Sequence, residues 1–258
     1  MNIILGKNSK HEEYLEALKK IETLMTRLEL NPFIERAYSR MKGIKGKVIV
    51  AWSGGKESIV LLDLAKHAVK EAVPVLGRTD LEFPSFDRWL EKNLPPRTAI
   101  LNNQWDMDWL ADHPQMLFPN GGNEVMKWYK GVQHWAQEQY CKSWDISVML
   151  TGRRTIDGNF VGPAGVYSKK GVKIVSPMYD WPNEAVLAYF HYHRWKWPPF
   201  YSMPRGFYIG SGPWPARTAL TTRADNWKEI KAIDPSIWKQ AVDYSLPGAF
   251  ALKKASHA

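Results

Sequence analysis

A glycine turn between an apolar strand and an apolar helix is the feature that most constrains this chain. Residues 47–52 are an apolar, β-rich run that is typical of a strand buried in a parallel sheet. Ser53-Gly54-Gly55-Lys56-Glu57-Ser58 follows, and residues 59–69 predict a broadly apolar helix. Glycines at such a turn expose backbone N–H groups, and the helix start adds unpaired amides and a positive dipole end. The pattern predicts a phosphate site, and the alternative is a tight turn without a ligand.

The residue types of this turn suit a phosphate. Ser53 and Ser58 can donate hydroxyl hydrogen bonds, and Lys56 carries a compact positive charge. Glu57 can approach a phosphate-bound Mg²⁺ or cap the helix, and the sequence does not separate these roles. Gly55 is expected where the phosphate approaches the backbone, at a positive φ. The turn is neither a Walker A loop nor a dinucleotide fingerprint, because the spacing of its glycines fits neither.

The rest of the chain alternates strand and helix patterns. Further strands are predicted over residues 73–76, 97–101, 147–150 and 172–175. Helices are predicted over residues 86–92, 123–140, 181–194, 225–232 and 235–244. Such alternation favours right-handed crossovers. We therefore expect an α/β fold, a Rossmann-like parallel sheet with helices on both faces.

The two ends of the chain differ from this core. Residues 11–28 predict an amphipathic helix whose apolar stripe consists of Leu15, Leu18, Ile21, Leu24, Met25 and Leu28. A second short helix is expected after Pro32, because proline suits a first helical turn. We therefore expect three parts: an N-terminal helical extension (1–45), a nucleotide-binding α/β domain (46–200) and a C-terminal segment over the core (201–258).

Composition narrows the class of protein. The chain has 258 residues and a formal net charge of +9, and no apolar run approaches the roughly 18 residues of a membrane span. With no signal peptide at its start, a soluble cytoplasmic protein without a membrane partner is expected. The positive charge suits nucleic acids as well as nucleotides. The tryptophan-rich stretches 127–130 and 193–197 predict either stacking platforms for bases or core packing.

The turn resembles the PP-loop, Ser-Gly-Gly-x-Asp-Ser, of the N-type ATP pyrophosphatases and of the phosphoadenosine phosphosulfate (PAPS) reductases, with Glu57 in place of aspartate. Residues 78–84 are similar to the reductases' Asp-Thr-Gly-x-x-Phe-Pro segment, and residues 151–154 to their Gly-x-Arg-Arg segment. Residues 176–181 are similar to their Pro-(Ile/Leu)-x-Asp-Trp segment. The four matches occur in the family's order and cover roughly residues 45–215.

This resemblance implies that the loop holds the phosphates of ATP or a PAPS-like adenine nucleotide, with Mg²⁺ carried on the phosphates. The implied nucleotide-binding residues are Ser53, Gly54, Gly55, Lys56, Glu57, Ser58, Thr79 and Gly152. Arg153 and Arg154 fall where the family places cations that face the anion, so with Lys56 they are the candidate catalytic residues. A solvated surface pair is the alternative for the two arginines. Three aspartates could instead hold Mg²⁺, although helix capping is favoured for them: Asp106, Asp108 and Asp112.

The cysteine content departs from the family. Family members that reduce sulfonucleotides use a cysteine near the C-terminus, and residues 251–258 contain none. Ser211 and Trp214 stand where the iron–sulfur branch has a Cys-x-x-Cys, so no cluster is expected. Cys141 is the single cysteine, which excludes an internal disulfide. The neighbouring Lys142 could lower its pKa, and a small buried hydrophobic residue is the alternative.

The expected function is that of an enzyme, a transferase with ATP pyrophosphatase chemistry. An acceptor attacks the α-phosphate of the bound nucleotide, which gives an adenylylated acceptor and pyrophosphate. This reaction needs no protein nucleophile. Two alternatives remain: a sulfonucleotide reductase that uses Cys141, and a non-catalytic protein that senses nucleotides or binds nucleic acid. The sequence identifies neither the acceptor nor a partner protein.

Overall fold

A six-stranded, mostly parallel sheet forms the centre of the fold. The computed structural model describes residues 4–250, so residues 251–258, where the sequence lacks the family's C-terminal cysteine, lie outside it. The strands are β1 (Val48–Ala51), β2 (Ala72–Arg78), β3 (Ala99–Asn102), β4 (Val148–Leu150), β5 (Val166–Lys169) and β6 (Val172–Val175). Their order is β3-β2-β1-β4-β6-β5, and β5 alone among the pairs described runs antiparallel, to β6. The predicted Rossmann-like α/β fold is confirmed.

Helices connect these strands. They are α1 (His11–Lys19), α2 (Ile21–Leu24), α3 (Arg27–Met41), α4 (Lys56–Ala68), α5 (Pro84–Asn93), α6 (Met107–Asp112), α7 (Gly122–Tyr129), α8 (Trp135–Trp144), α9 (Asn183–Tyr192), α10 (Gly206–Ile209), α11 (Arg223–Ile233) and α12 (Pro235–Asp243). A π-helical stretch, Lys130–His134, joins α7 to α8. In the part of the chain that the structure describes, no helix has the length and hydrophobicity to span a bilayer.

The N-terminal helices differ from the prediction. The single helix expected over residues 11–28 is wrong, because α1, α2 and α3 divide this segment. Thr26 and Glu29 form a capping box that starts α3 at Arg27. Pro32 consequently lies inside α3 and not in a first turn. The predicted stripe is also wrong in part, since the residues that α1 to α3 bury here include Tyr14, Ala17, Ile21 and Met25, whereas Leu15 and Leu28 are exposed.

Strand β5 has no counterpart in the sequence prediction. It pairs with β6 across a two-residue turn, Lys170-Gly171, in which both residues have positive φ values of 50° and 80°. Two positive φ values characterise the type I′ turn, whose twist matches that of the flanking strands. A lysine at the first turn position is not a typical signal for this turn, and the sequence analysis predicts no strand over residues 166–169.

The contacts divide the described residues into two compact units. The first unit comprises residues 4–76, 95–99 and 137–210. Its helix α9 buries every residue from Ala185 to Phe190, as expected of a helix that is apolar on all sides. The second unit comprises residues 77–94, 100–136 and 211–250, and Trp227 is fully buried within it. The three-part division at residues 45 and 200 stays a prediction.

Candidate functional site

The loops that follow β1 and β4 leave the sheet side by side. β1 lies between β2 and β4, so the chain builds the sheet outward on one side of β1 and then crosses to the other side. The carboxyl ends of β1 and β4 therefore form a topological switch point, where open α/β sheets bind their ligands. Residues 52–55 follow β1 and residues 151–154 follow β4, and both segments belong to the first unit.

Glycine and serine shape the loop after β1. Gly54 has a φ of +70°, the left-handed conformation that side chains disfavour. Gly55 is the N-cap of α4 with a φ of −77°, so the positive φ expected at Gly55 is wrong and belongs to Gly54. The Ser58 hydroxyl donates to the Gly55 carbonyl at 2.8 Å and accepts from the Ser53 N–H at 3.2 Å. The two serines thus hold the turn in its conformation.

Lys56 is buried at the start of α4. Its Nζ lies 2.7 Å from Glu57 Oε1, and its backbone N–H donates to the hydroxyl of Tyr201 at 2.7 Å. The rings of Tyr14 and Tyr201 flank the ammonium group, with centroids 5.8 and 5.6 Å away. The ammonium and the backbone N–H of Lys56 are therefore bonded to the protein itself, whereas the sequence analysis expects the ammonium to face a phosphate.

The two arginines after β4 have different environments. Arg154 is fully buried, and its Nη2 donates to Glu57 Oε1 at 2.8 Å, Asp157 Oδ1 at 2.9 Å and Asn183 Oδ1 at 2.9 Å. Arg153 is only half-buried, and its Nη1 donates to the Tyr167 hydroxyl at 2.8 Å. The structure therefore does not expose both arginines to a ligand, because Arg154 has its guanidinium inside the protein.

Lys56, Glu57, Arg154 and Asp157 form what we call the charge cluster. Burial tends to raise the pKa of Glu57, but Lys56 and Arg154 outweigh it and hold that pKa below its ordinary value. Burial raises the pKa of Asp157, although Arg154 opposes the shift. Two cations and two carboxylates balance, so this cluster supplies no formal excess of positive charge to an anion.

Close packing joins the loops at the switch point. A Cβ at Gly152 would lie 3.0 Å from the Cβ of Glu57 and 3.1 Å from its carbonyl carbon, so glycine permits this approach. The hydroxyls of Thr151 and Ser176 lie 2.9 Å apart, which links the ends of β4 and β6. The sequence analysis predicts Gly152 as a site residue. No sequence motif marks Asp157, Asn183 or Tyr201 as partners of the loop residues.

The segment after β2 lies in the second unit. Thr79 is buried there, and its hydroxyl donates to the Trp105 carbonyl. Its role in nucleotide binding stays a prediction. Glu82 is 8% exposed, and burial raises its pKa to about 8 although Arg78 opposes the shift. Its Oε2 has no hydrogen-bond partner among residues 4–250.

The remaining candidates have ordinary surroundings. Asp106 accepts a hydrogen bond from the Trp109 N–H at 2.8 Å and caps α6, as the capping alternative predicts. Within residues 4–250, no group of three or more His, Cys, Asp or Glu side chains is placed to hold a metal ion. Mg²⁺ carried on nucleotide phosphates therefore stays a prediction. Burial and the nearby Glu138 raise the pKa of the half-buried Cys141. This direction is opposite to the lowering of the Cys141 pKa that the neighbouring Lys142 could cause.

The sequence from β1 to α10 identifies the family. A family model described as the phosphoadenosine phosphosulfate reductase domain matches residues 47–208, more than half of the chain. The chain belongs to the phosphoadenosine phosphosulfate reductase family. The match to this PAPS reductase family runs from the residue before β1 into α10 and includes both loops of the switch point.

Other comparisons are more distant. None of the curated proteins compared matches the chain. The phosphate complex of phosphoadenylyl-sulfate (PAPS) reductase from Candida auris is 15% identical, with a TM-score of 0.46 over 74% of this chain and 90% of that chain. The U34-tRNA thiolase NcsA from Methanococcus maripaludis, solved with its [4Fe-4S] cluster, is 14% identical, with a TM-score of 0.45 over 84% of this chain and 78% of that chain. Because both TM-scores are below 0.5, the family rests on the sequence match.

Proposed function

We propose that this member of the PAPS reductase family binds ATP or a related adenine nucleotide on residues 53–58 and transfers its adenylyl group. An acceptor attacks the α-phosphorus, a new acceptor–phosphorus bond forms, and the bond to the β-phosphate oxygen breaks to release pyrophosphate. The observation that supports this proposal is the position of the Gly54 turn. A left-handed glycine at a strand-to-helix turn lies at the switch point of the sheet, where phosphates meet backbone amides.

The contacts around residues 53–58 suggest a separate role for each charged residue. Backbone amides of the turn and the half-buried Arg153 would stabilise the negative charge that develops at the phosphates. Lys56 and Arg154 would act through Glu57, because their charged groups bond to its carboxylate and hold the two loops together. The reaction needs no protein nucleophile, and Mg²⁺ would arrive with the nucleotide.

The two alternatives have weaker support. Reduction of a sulfonucleotide requires a thiolate, and the raised pKa of Cys141 keeps its thiol protonated at neutral pH. Nucleic-acid binding was suggested by tryptophans next to basic residues. Trp128 is 2% exposed and its indole N–H donates to the Met116 carbonyl at 2.9 Å, which supports packing for that residue. The net charge and the stretch 193–197 remain as arguments for nucleic acid.

Turnover tests the reaction directly. The protein is incubated with α-labelled ATP, Mg²⁺ and candidate acceptors, and we expect labelled AMP on an acceptor together with pyrophosphate. If the nucleotide binds but no acceptor yields these products, adenylyl transfer is overturned and a binding role remains.

Binding to the turn is tested with a pair of glycine variants. We expect Gly54→Val to abolish ATP binding in calorimetric titration, because valine strongly resists a φ of +70° and would distort the turn. Gly43→Val is the control: Gly43 also has a positive φ, +79°, but a Cβ there meets no atom within 4 Å. The control should suffer similar backbone strain and bind ATP as the wild type does. Wild-type affinity in Gly54→Val would show that this turn is not the phosphate site.

A further inference from the structure

The hydroxyl of Tyr201 is hydrogen-bonded to the first backbone N–H of α4. It accepts a hydrogen bond from the Lys56 N–H at 2.7 Å, and both residues are buried. The first amides of a helix have no partner within the helix, which is why anions bind there. In this protein a phenol oxygen stands where an oxygen of an anion would accept the same hydrogen bond.

Packing around the ring places this hydroxyl at the start of α4. The Tyr201 ring meets Trp197 edge-on at 5.4 Å and Phe207 at a tilt of 38° and 4.9 Å, and its backbone N–H donates to the Pro198 carbonyl at 3.1 Å. Gly206 permits the chain to turn back, because a Cβ there would clash with the carbonyl oxygen of Phe200. The surrounding rings therefore place the phenol against α4, and a phosphate that takes the Lys56 N–H has to shift this ring.

We propose that Tyr201 sets the affinity and charge selectivity of the loop by competing with the nucleotide phosphate for the Lys56 N–H. This inference rests on the proposed function, since it assumes that a polyphosphate binds at the start of α4. A charged phosphate oxygen is a stronger hydrogen-bond acceptor than a neutral phenol, so a polyphosphate displaces the hydroxyl and an uncharged ligand does not. Tyr201 thereby excludes weak ligands from the amide.

The test removes the hydroxyl and keeps the ring. We expect Tyr201→Phe to bind ATP and pyrophosphate about two- to tenfold more tightly than the wild type in calorimetric titration, because the hydrogen bond from the Lys56 N–H to the hydroxyl no longer has to be broken. Tyr189→Phe is the matched control. Tyr189 is equally buried in the first unit, but its hydroxyl donates to Asp63 Oδ2 at 2.7 Å. Its loss should leave both affinities unchanged, and thermal unfolding verifies that each variant is folded.

The outcomes separate this inference from the proposed function. If the wild type binds ATP and Tyr201→Phe binds it equally or more weakly, the competition is overturned and the proposed function stands. Equal tightening in Tyr189→Phe would also overturn it, because the gain would then not arise at the Lys56 amide. If the wild type binds neither ATP nor pyrophosphate, the proposed function fails and this inference fails with it.

Discussion

Glu82 shows what burial does to a single carboxyl group. Its side chain lies among groups of the second unit, with Oε2 unpartnered among residues 4–250. Burial raises its pKa to about 8, while Arg78 favours the ionised form and the nearby Asp87 opposes it. At neutral pH the folded protein therefore keeps Glu82 largely protonated, which an unfolded chain does not.

This difference predicts how stability depends on pH. Between about pH 4.5 and 8 the folded state holds a proton that the unfolded state has released, so Glu82 lowers the free energy of unfolding as pH rises. A glutamine at this position does not titrate, so the stability of Glu82→Gln does not fall with rising pH for this reason. Relative to the wild type, we expect the free energy of unfolding of the variant to rise across this window by about 5 kcal/mol. Urea denaturation at pH 4, 6, 8 and 9 measures it, and a difference independent of pH would contradict the raised pKa.

Motif spacing could predict the loop but not its partners. Serine and glycine act within six consecutive residues, so their arrangement follows from local chemistry, and the positive φ was displaced by only one glycine. Glu57 and Arg154 are 97 residues apart, and Lys56 and Tyr201 are 145 apart. Such contacts depend on how the strands are ordered, so a sequence pattern could not show that Lys56 and Arg154 bond to Glu57.

Among the elements, α3 contains a proline where a helix normally excludes one. Pro32 is the sixth residue of α3, after a capping box at Thr26 has already started the helix. An interior proline removes a hydrogen bond and crowds the preceding turn. The capping box thus outweighs the proline signal that predicts a helix start at Pro32.

Replacing this proline should stabilise the protein. We expect Pro32→Ala to raise the free energy of unfolding by about 1–3 kcal/mol, because Pro32 is exposed and alanine restores the helical hydrogen bond. Pro235→Ala is the control, since Pro235 is also exposed but occupies the first turn of α12, where its ring fits. Urea denaturation measures the free energy of unfolding of both variants. Equal effects at the two positions would show that Pro32 does not strain α3.

Element prediction succeeded where a pattern was long or bounded by clear signals. The first core strand, α4 and the helices near 225–232 and 235–244 were placed within a few residues. The prediction failed over residues 11–28, where a continuous apolar pattern gave no sign of the two interruptions between α1, α2 and α3. It also failed at β5, where hydrogen bonds to β6 and not side-chain periodicity define a four-residue strand.

Across the whole molecule, the net charge of +9 attracts any polyanion. Some of the lysines already have acidic partners: Lys169 and Lys170 lie 3.0 and 2.9 Å from oxygens of Glu138. The charge alone therefore does not distinguish a nucleotide site from non-specific attraction. Strand alternation predicted the fold class, but the order of strands that creates the switch point is a property of the complete sheet.

Salt separates the two kinds of binding. We expect ATP at a hundredfold excess over its Kd to raise the free energy of unfolding by about 2.7 kcal/mol, by mass action. This gain should persist between 50 and 200 mM salt. Attraction of duplex DNA that rests on net charge should weaken steeply over the same range, because bound counterions are released. Thermal unfolding with each ligand measures both, and stabilisation by DNA that survives 200 mM salt while ATP has no effect would favour the nucleic-acid alternative.

The carboxylate of Glu57 couples the two loops of the switch point. One oxygen, Oε1, bonds to both Lys56 and Arg154. Aspartate, which the PP-loop motif carries at this position, is one methylene shorter and would leave the buried guanidinium of Arg154 without one of its acceptors. Glutamate at this position therefore links the turn after β1 to the loop after β4 through the guanidinium of Arg154. Substitution of Glu57 or Arg154 would therefore leave a charged group of the other loop without one of its partners.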